Sequence, residues 1–442
     1  MHIDFFLERF RRHADNEAMI WRDKVYSYGE LLNYIENDLS ALRDRLERSM
    51  VVSLEADFSP QSAALMLSLI ELGCIVVPLT DSVAHKKDEF KRIAQVEATI
   101  VVKGDEFTVE RTNIAADHEI LMRLKHEGHP GLIIFSSGST GESKAAVHDF
   151  LPLLNKFKVE RPPARMIAFL LFDHIGGIDT LLFVLSNMCL VVIESRNPED
   201  VCRAIEKYSV DILPTSPTFI NLMLAGETYT KYDLNSLKVI TYGTEPMPES
   251  TLKKIHELLP QVKIRQKYGL SELGVVRAHS VSSDSLWVKI GGEDFQTRVV
   301  DGLLEIKAKS AMLGYLNAPS PFTDDGWFKT GDAVLVDGEY MKILGRRSEM
   351  INVGGQKVFP AEVESVIQQM EGVEEVAVSG ERNSLTGQIV KARVKLSTDE
   401  SLADFKKRLR KFCKGKLENY KVPQKIELSA DYMHGARFKK LR

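Results

Sequence analysis

Cysteine is scarce in this sequence, and its few cysteines do not pair by spacing. The 442 residues contain 4 cysteines, none of which form a C-x-x-C motif: Cys74, Cys189, Cys202 and Cys413. This spacing predicts neither a zinc site nor a disulfide framework. We therefore expect a reducing, cytoplasmic environment.

Long apolar runs and an excess of one charge are also missing. The apolar stretches near 63–79 and 175–193 contain Glu71 and Asp179, so we expect core elements and predict no membrane span. The first residues, MHIDFFLERFRRH, do not resemble a signal peptide. The net charge of −4 gives no reason to expect a nucleic-acid partner.

The last stretch differs from the rest in charge. Residues 401–442 carry thirteen Lys and Arg against four Asp and Glu. This excess is typical of a solvated basic surface, or of a docking surface for an anionic partner. Both interpretations stay open at this point.

Helical and strand-like runs alternate along most of the chain. YSYGELLNYIENDLSALRDRL predicts an amphipathic helix that begins near Ser27, and MVVSLEA then predicts a strand. The next helix is SPQSAALMLSLIELG and the next strand is CIVVPL. Alternation at this spacing predicts an α/β fold of parallel-rich sheets covered by helices.

The pattern changes after about residue 285, where short strands such as LLEIKAKS and YMKILG predict a small β-rich lobe. We predict a large domain over residues 1–345 and a small α+β domain over residues 346–442. The last helix of the small domain is expected to present one apolar face, made of Leu402, Phe405, Leu409, Phe412 and Cys413.

A serine-rich stretch, FSSGSTGESK, follows the apolar residues Leu132, Ile133 and Ile134. Small polar residues are typical of a flexible linker, but a loop anchored to a buried strand can also cradle an anion. The stretch is not the common GxxxxGK[ST] loop, because two residues separate Gly141 from Lys144. We favour an anion cradle outside the ordinary P-loop class.

Five motifs occur in one order: FSSGSTGESK, TYGTEPMP, KYGLSELG, WFKTGD and LGRRSEMINVGGQKVFPAEVE. Together they resemble the adenylate-forming superfamily of acyl-CoA synthetases, peptide-synthetase adenylation domains and luciferases. The resemblance implies that ATP and a carboxylic acid form an acyl-adenylate. It also implies Mg²⁺, and acyl transfer to the pantetheine thiol of CoA or an acyl carrier protein.

The resemblance also implies roles for named residues. The phosphates would be held by Ser136, Ser139, Thr140 and Lys144. The nucleotide would be lined by Gly243, Thr244, Glu245, Tyr268 and Gly269, with Tyr268 stacked on adenine. Ser271 would reach the α-phosphate and Glu272 would bind Mg²⁺. Asp332 would accept hydrogen bonds from both ribose hydroxyls, and Arg346 would contact the ribose or a phosphate.

The small domain is implied to be mobile, with a hinge at Ser348 and with Gly354 and Gly355 beside the thiol arm. The family ends with a Gly-Lys pair whose Lys is catalytic, whereas here Gly435 is followed by Ala436. Counting from YKVP instead selects Lys439, with Phe438 in place of the glycine. Arg437 and Lys440 remain alternatives.

LLFDHIGG offers two residues for the acid pocket. His174 is implied for a non-amino acid, which we favour, and Asp173 is implied for an amino acid, whose ammonium it would bind. The main prediction is thus an AMP-forming acid–thiol ligase. The alternatives are an amino-acid adenylation enzyme that loads a carrier protein, and a non-catalytic nucleotide- or acyl-binding protein.

Overall fold

The computed structural model describes residues 2–137, 142–292, 294–435 and 438–441. The helices of the described chain are α1 (Asp4–Arg12), α2 (Tyr28–Arg43), α3 (Pro60–Glu71), α4 (Lys87–Ile93), α5 (Glu119–Glu127), α6 (Phe150–Leu154), α7 (Ile175–Val184), α8 (Pro198–Tyr208), α9 (Pro217–Ala225), α10 (Glu249–Leu258), α11 (Pro360–Ile367) and α12 (Leu402–Cys413). Among them, no helix combines the length and the apolar character that crossing a bilayer requires.

The strands are β1 (Glu17–Trp21), β2 (Lys24–Ser27), β3 (Val51–Glu55), β4 (Ile75–Leu79), β5 (Ala98–Lys103), β6 (Glu106–Arg111), β7 (Gly131–Ser137), β8 (Ser143–Asp149), β9 (Arg165–Ile167), β10 (Cys189–Val191), β11 (Ile212–Thr215), β12 (Val239–Tyr242), β13 (Lys263–Gln266), β14 (Tyr268–Leu270), β15 (Gly274–Val276), β16 (Ala278–Ser280), β17 (Trp287–Ile290), β18 (Phe295–Val300), β19 (Leu303–Ala308), β20 (Gly314–Tyr315), β21 (Phe328–Asp337), β22 (Tyr340–Arg346), β23 (Ile351–Val353), β24 (Gln356–Val358), β25 (Val373–Asn383), β26 (Gly387–Leu396) and β27 (Lys425–Leu428).

Two seven-stranded sheets form most of the large domain. The first has the order β13-β12-β11-β9-β10-β1-β2, and the second has the order β20-β8-β7-β4-β3-β5-β6. In the first sheet every pair is parallel except β1–β2 at one edge, and in the second sheet the central pairs are parallel whereas the pairs toward both edges are antiparallel. The α/β prediction is confirmed. Both apolar runs are core elements, because α3 and α7 are almost entirely buried.

Local signals account for where several helices begin. The hydroxyl of Ser27 accepts a hydrogen bond from the N–H of Glu30, and the Glu30 carboxylate accepts one from the N–H of Ser27. This reciprocal cap satisfies two backbone donors that the first helical turn leaves without partners. It explains why α2 begins directly after Ser27, as the sequence predicts.

A six-stranded antiparallel sheet, β16-β17-β22-β21-β19-β18, forms the β-rich lobe. The small domain is built on β24-β23-β26-β25, with β27 beside β26. The apolar face expected for its last helix is only partly correct. Phe405, Leu409 and Cys413 are buried, but Leu402 is 38% exposed because it is the first residue of α12, one turn before the packed part of the helix.

Candidate active site

The serine-rich stretch joins two antiparallel strands of the second sheet. β7 and β8 pair so that Ser136 lies opposite Lys144. The Nζ atom of Lys144 lies 5.4 Å from the ring centroid of Tyr315, in the neighbouring strand β20. Ser139 and Thr140 fall outside the described residues, so their roles stay predictions. The hairpin brings a hydroxyl and a cation to one edge of the sheet.

His148 contacts the backbone of the turn that carries Ser271, and the sequence motifs do not include this histidine. Its side chain is fully buried in β8, and Nε2 lies 2.6 Å from the carbonyl oxygen of Ser271. Because a carbonyl only accepts, Nε2–H must be the donor. Burial lowers the pKa of His148, which favours the neutral ring. His148 therefore positions the turn that carries Ser271 and Glu272.

Glu272 lies in the turn between β14 and β15. Its carboxylate accepts a hydrogen bond of 2.6 Å from the hydroxyl of Tyr315. Burial, followed by the charge of Glu272, raises the pKa of Tyr315, so the phenol stays a donor. A carboxylate that accepts one such bond keeps other lone pairs for a hard cation. This residue therefore fits Mg²⁺.

Asp332 joins three of the motifs. It accepts a hydrogen bond of 2.5 Å from the hydroxyl of Tyr268, and the Nε of Arg346 lies 3.3 Å from its other oxygen. Asp332 and Arg346 are direct partners across β21 and β22. Burial raises the pKa of Asp332, while Arg346 and the hydrogen bond from Tyr268 act in the opposite direction.

The end of β12 brings backbone close to the site. A Cβ on Gly243 would lie 3.0 Å from the carbonyl oxygen of Lys267, which explains the glycine. Thr244 has a φ of 71°, a left-handed conformation that is strained for a β-branched residue. Glu245 accepts hydrogen bonds from Thr218 and from the backbone N–H of Lys440, at 3.2 Å for the latter. It thus anchors the C-terminal segment.

Phe438 fixes that segment, residues 438–441, on the large domain. Its ring centroid lies 5.4 Å from that of Phe169 and 5.6 Å from that of Phe219, and it stacks on His434 at 5.1 Å. The hydroxyl of Ser216 donates to its carbonyl oxygen at 2.8 Å. Phe438 has a φ of 47°, where glycine is favoured. Aromatic contacts thus hold a backbone conformation that the family's glycine would adopt more easily.

Lys439 and Lys440 have different surroundings. The Nζ of Lys440 lies 3.1 Å from the carboxylate of Glu364, and both side chains are buried in the small domain. The same carboxylate group accepts a hydrogen bond from the N–H of Val378 at 2.9 Å. Lys440 is therefore part of a structural ion pair, and Lys439 is the one that lines a cavity. Arg437 lies outside the described residues.

The cavity at Lys439, called the Lys439 cavity below, has a volume of 160 Å³. It brings together eight residues predicted from separate stretches of the sequence: Ser136, His174, Thr244, Gly269, Ser271, Glu272, Arg346 and Lys439. Arg196 also lines it, which the motifs do not predict. Burial lowers the pKa of Arg196, and Asp57 and Asp173 partly compensate. Nothing in the sequence distinguishes this arginine from a surface one.

A second cavity, of 210 Å³, is called the Lys267 cavity after one of its wall residues. Leu170, His174, Ile175, Thr244 and Gly269 line both cavities. His174 also accepts a hydrogen bond at the start of α7, from the N–H of Gly176 at 3.1 Å. It therefore lies at the junction. Asp173 is buried instead, where it accepts a hydrogen bond of 2.9 Å from Thr80.

The connection between the domains is short. β22 ends at Arg346 and β23 begins at Ile351, and Ser348 lies exposed in the single 3₁₀ turn between them. Gly354 and Gly355 form the turn of the β23–β24 hairpin, with φ values of 57° and 89°. Neither glycine lines the Lys439 cavity. In this arrangement of the domains, the small domain contributes Lys439 to the cavity wall.

Comparison with known families identifies the chain. The model of the AMP-binding enzyme family matches residues 6–302, and that of the AMP-binding enzyme C-terminal domain matches residues 362–434. The chain belongs to the AMP-binding enzyme family. Within this family it is an adenylate-forming, acyl-CoA synthetase-like enzyme, an acid–thiol ligase that uses ATP to activate a carboxylic acid.

Curated relatives of this family member are CoA ligases. An indoleacetate–CoA ligase of Aromatoleum aromaticum is 26% identical over 94% of this chain and 92% of its own length. A long-chain-fatty-acid–CoA ligase of Salmonella typhimurium is 28% identical over 66% of this chain and 57% of its own length. These two relatives are named for acids of different classes.

Solved structures support the same fold. The anthranilate CoA ligase AuaEII, in complex with anthranoyl-AMP, has a TM-score of 0.81 at 20% identity, covering 100% of this chain and 95% of its own. The o-succinylbenzoate CoA synthetase of Bacillus subtilis, in complex with its acyl-adenylate, has a TM-score of 0.78 at 20% identity, covering 99% and 96%.

Proposed function

We propose that this enzyme converts a carboxylic acid without an α-amino group into its acyl-adenylate and then transfers the acyl group to CoA. The observation that carries the proposal is the junction of the two cavities at His174. The Lys439 cavity collects most of the lining groups suited to a nucleotide, and the adjoining Lys267 cavity, whose wall includes Gly243 and Tyr268, offers space for the acid. His174 lines both cavities, whereas Asp173 is bonded to Thr80.

The first half-reaction joins two anions. The acid carboxylate attacks the α-phosphorus of ATP, and pyrophosphate leaves. Lys439 would lie between the carboxylate and the α-phosphate and offset their repulsion most strongly in the transition state. Ser271 would donate to the α-phosphate, and Asp332 would hold the ribose. Mg²⁺ bound at Glu272 would neutralise phosphate charge.

The second half-reaction needs the Lys439 segment to leave. The thiol of CoA attacks the acyl carbonyl carbon, and AMP leaves with the electron pair of the cleaved bond. Rotation about Ser348 would move Lys439 out and the hairpin of Gly354 and Gly355 in. The exposed position of Ser348 in a single turn supports its role as the hinge.

The test is acid-dependent pyrophosphate release over a panel of fatty, aryl, hydroxy and amino acids, with adenylates trapped by hydroxylamine. We expect activity with one class of non-amino acids, and its loss in Lys439→Ala. Activity confined to amino acids would contradict the choice of His174 over Asp173. Activity retained in Lys439→Ala would contradict the role of the lysine.

An acyl carrier protein is a second candidate acceptor, because α12 presents a basic surface. Lys407, Arg410 and Lys411 are exposed on this helix, and carrier proteins that present acidic surfaces would complement it. Changing all three to Glu should slow carrier-dependent transfer at low salt and leave CoA-dependent transfer unaffected. Unchanged carrier-dependent transfer in that variant would show that the basic surface of α12 does not bind the carrier protein.

A further inference from the structure

Lys267 places a cation in the wall of the cavity proposed for the acid. The residue stands between β13 and β14, where its N–H donates to the carbonyl of Tyr242 at 2.7 Å. Lys267 is exposed, yet desolvation by the surrounding protein lowers its pKa. Lys267 contributes to the wall of the Lys267 cavity.

Positive charge exceeds negative charge around this cavity. Among the described residues, Asp179 is the one carboxylate in its wall, and it accepts a hydrogen bond from Lys156. Arg265 lines the cavity beside Lys267. Arg161 is not in the cavity wall, and its guanidinium carbon lies 5.3 Å from the ring centroid of Phe183. Among the described residues, the wall thus carries two cations, Lys267 and Arg265, and one carboxylate that is already bonded to Lys156.

The rest of the wall is largely apolar. Met166, Ile212, Val239 and Val275 contribute to it together with Phe183. Such a wall suits a hydrocarbon body, but a hydrocarbon end would leave Lys267 partly desolvated, with Asp179, already bonded to Lys156, as the carboxylate in the wall, which is costly. An anionic end would instead form a charge-assisted hydrogen bond with Lys267.

We propose that the acid substrate carries a second anionic group, which pairs with Lys267 while the reacting carboxylate lies at Lys439. The substrate class is a compact acid with an apolar body and a second carboxylate at its far end. Arg265 adds positive charge on the same side. This inference rests on the proposed function and narrows it to one chemical class.

Matched pairs of acids test the inference. Pyrophosphate release is measured with octanoate and octanedioate, and with phenylpropanoate and its para-carboxy derivative. For the preferred pair, we expect a kcat/KM for the diacid that is roughly ten- to a hundredfold higher, the range for a hydrogen bond to a charged group. Lys267→Met should abolish the preference for the diacid, whereas Lys267→Arg should keep a large part of it. Lys263→Met is the control, because Lys263 is exposed on β13 outside the cavity wall.

The ratio separates specificity from folding, since a partly folded variant loses both acids equally. A wild-type enzyme that prefers the monoacids would overturn the inference and leave the proposed function standing. A diacid preference that survives Lys267→Met, or disappears equally in Lys263→Met, would also overturn it. No hydroxamate from any acid would overturn both the inference and the proposed function.

Discussion

The Lys439 cavity and the Lys267 cavity share a wall, yet they are built in different ways. The first collects residues from short motifs at strand ends, including Ser136, Ser271 and Arg346. The second includes Gly243 and Tyr268 from two of the same motifs, but most of its wall comes from side chains of α7, β9, β11, β12 and β13. The comparison teaches that the reaction is encoded locally in this chain, whereas the choice of acid is encoded by packing between distant elements.

The largest effect is expected for Lys439→Ala. Loss of the cation that offsets repulsion in the transition state should lower the rate of adenylate formation by about a hundred- to a thousandfold. Acyl transfer to CoA from chemically prepared acyl-adenylate should be nearly unchanged, because Lys439 would be outside the site in that step. Separate assays of the two half-reactions measure the rate of adenylate formation and the rate of acyl transfer. Equal losses in the two would contradict the assignment to one half-reaction.

The neighbouring residue provides a contrast. In Lys440→Met, Glu364 would remain buried without its cation, so the free energy of unfolding of the small domain should fall by about 3–5 kcal/mol. Urea unfolding followed by circular dichroism measures this. A variant of normal stability that makes no adenylate would instead place Lys440 in the chemistry.

Asp332 should affect the nucleotide and not the acid. Asp332→Asn should raise the KM for ATP by roughly tenfold, because an amide offers one acceptor oxygen where the carboxylate offers two. In the wild type, burial raises the pKa of Asp332, so its charge is lost as pH falls through that raised value. The KM for ATP should rise over that acidic range, and this rise should be absent in the variant. A changed preference among acids in Asp332→Asn would contradict the assignment of the nucleotide and the acid to separate cavities.

Lys267 should give the opposite pH dependence. Burial lowers its pKa, with Asp179 opposing and with Lys156, Arg265 and Arg161 adding to the decrease. Its charge is therefore lost as pH rises through the lowered value, and the preference for a diacid should decline at a lower pH than an ordinary lysine would give. The diacid to monoacid ratio of kcat/KM, measured across alkaline pH, checks this. A ratio that stays flat throughout would contradict pairing with Lys267.

The smallest effect concerns Phe438. Phe438→Ala and Phe438→Gly both remove the ring contacts, but only glycine relieves the left-handed backbone, a difference of about 1 kcal/mol. The glycine variant should therefore make adenylate about fivefold faster than the alanine variant. Equal rates would show that the backbone conformation at residue 438 does not limit docking of the segment.

The sequence predicts the α/β layers, the start of α2 and the meeting of five motifs, because each depends on local periodicity, capping or residue chemistry. It does not predict His148, whose role follows from the neighbouring turn, or Arg196, which has no motif around it. Leu402 fits the helical pattern but lies at a helix end. Lys267 is the first residue of the KYGLSELG motif, but only the packed structure places it in the wall of a cavity.

The most direct measurement is a crystal structure with a non-hydrolysable acyl-adenylate analogue, an acyl-sulfamoyl adenosine built on the best acid. We expect adenine beside Tyr268 and Thr244, ribose hydroxyls on Asp332 and the linking group at Lys439. The acyl group should pass His174 into the Lys267 cavity. An acyl group bound outside that cavity, or a nucleotide that does not contact Asp332, would contradict the account.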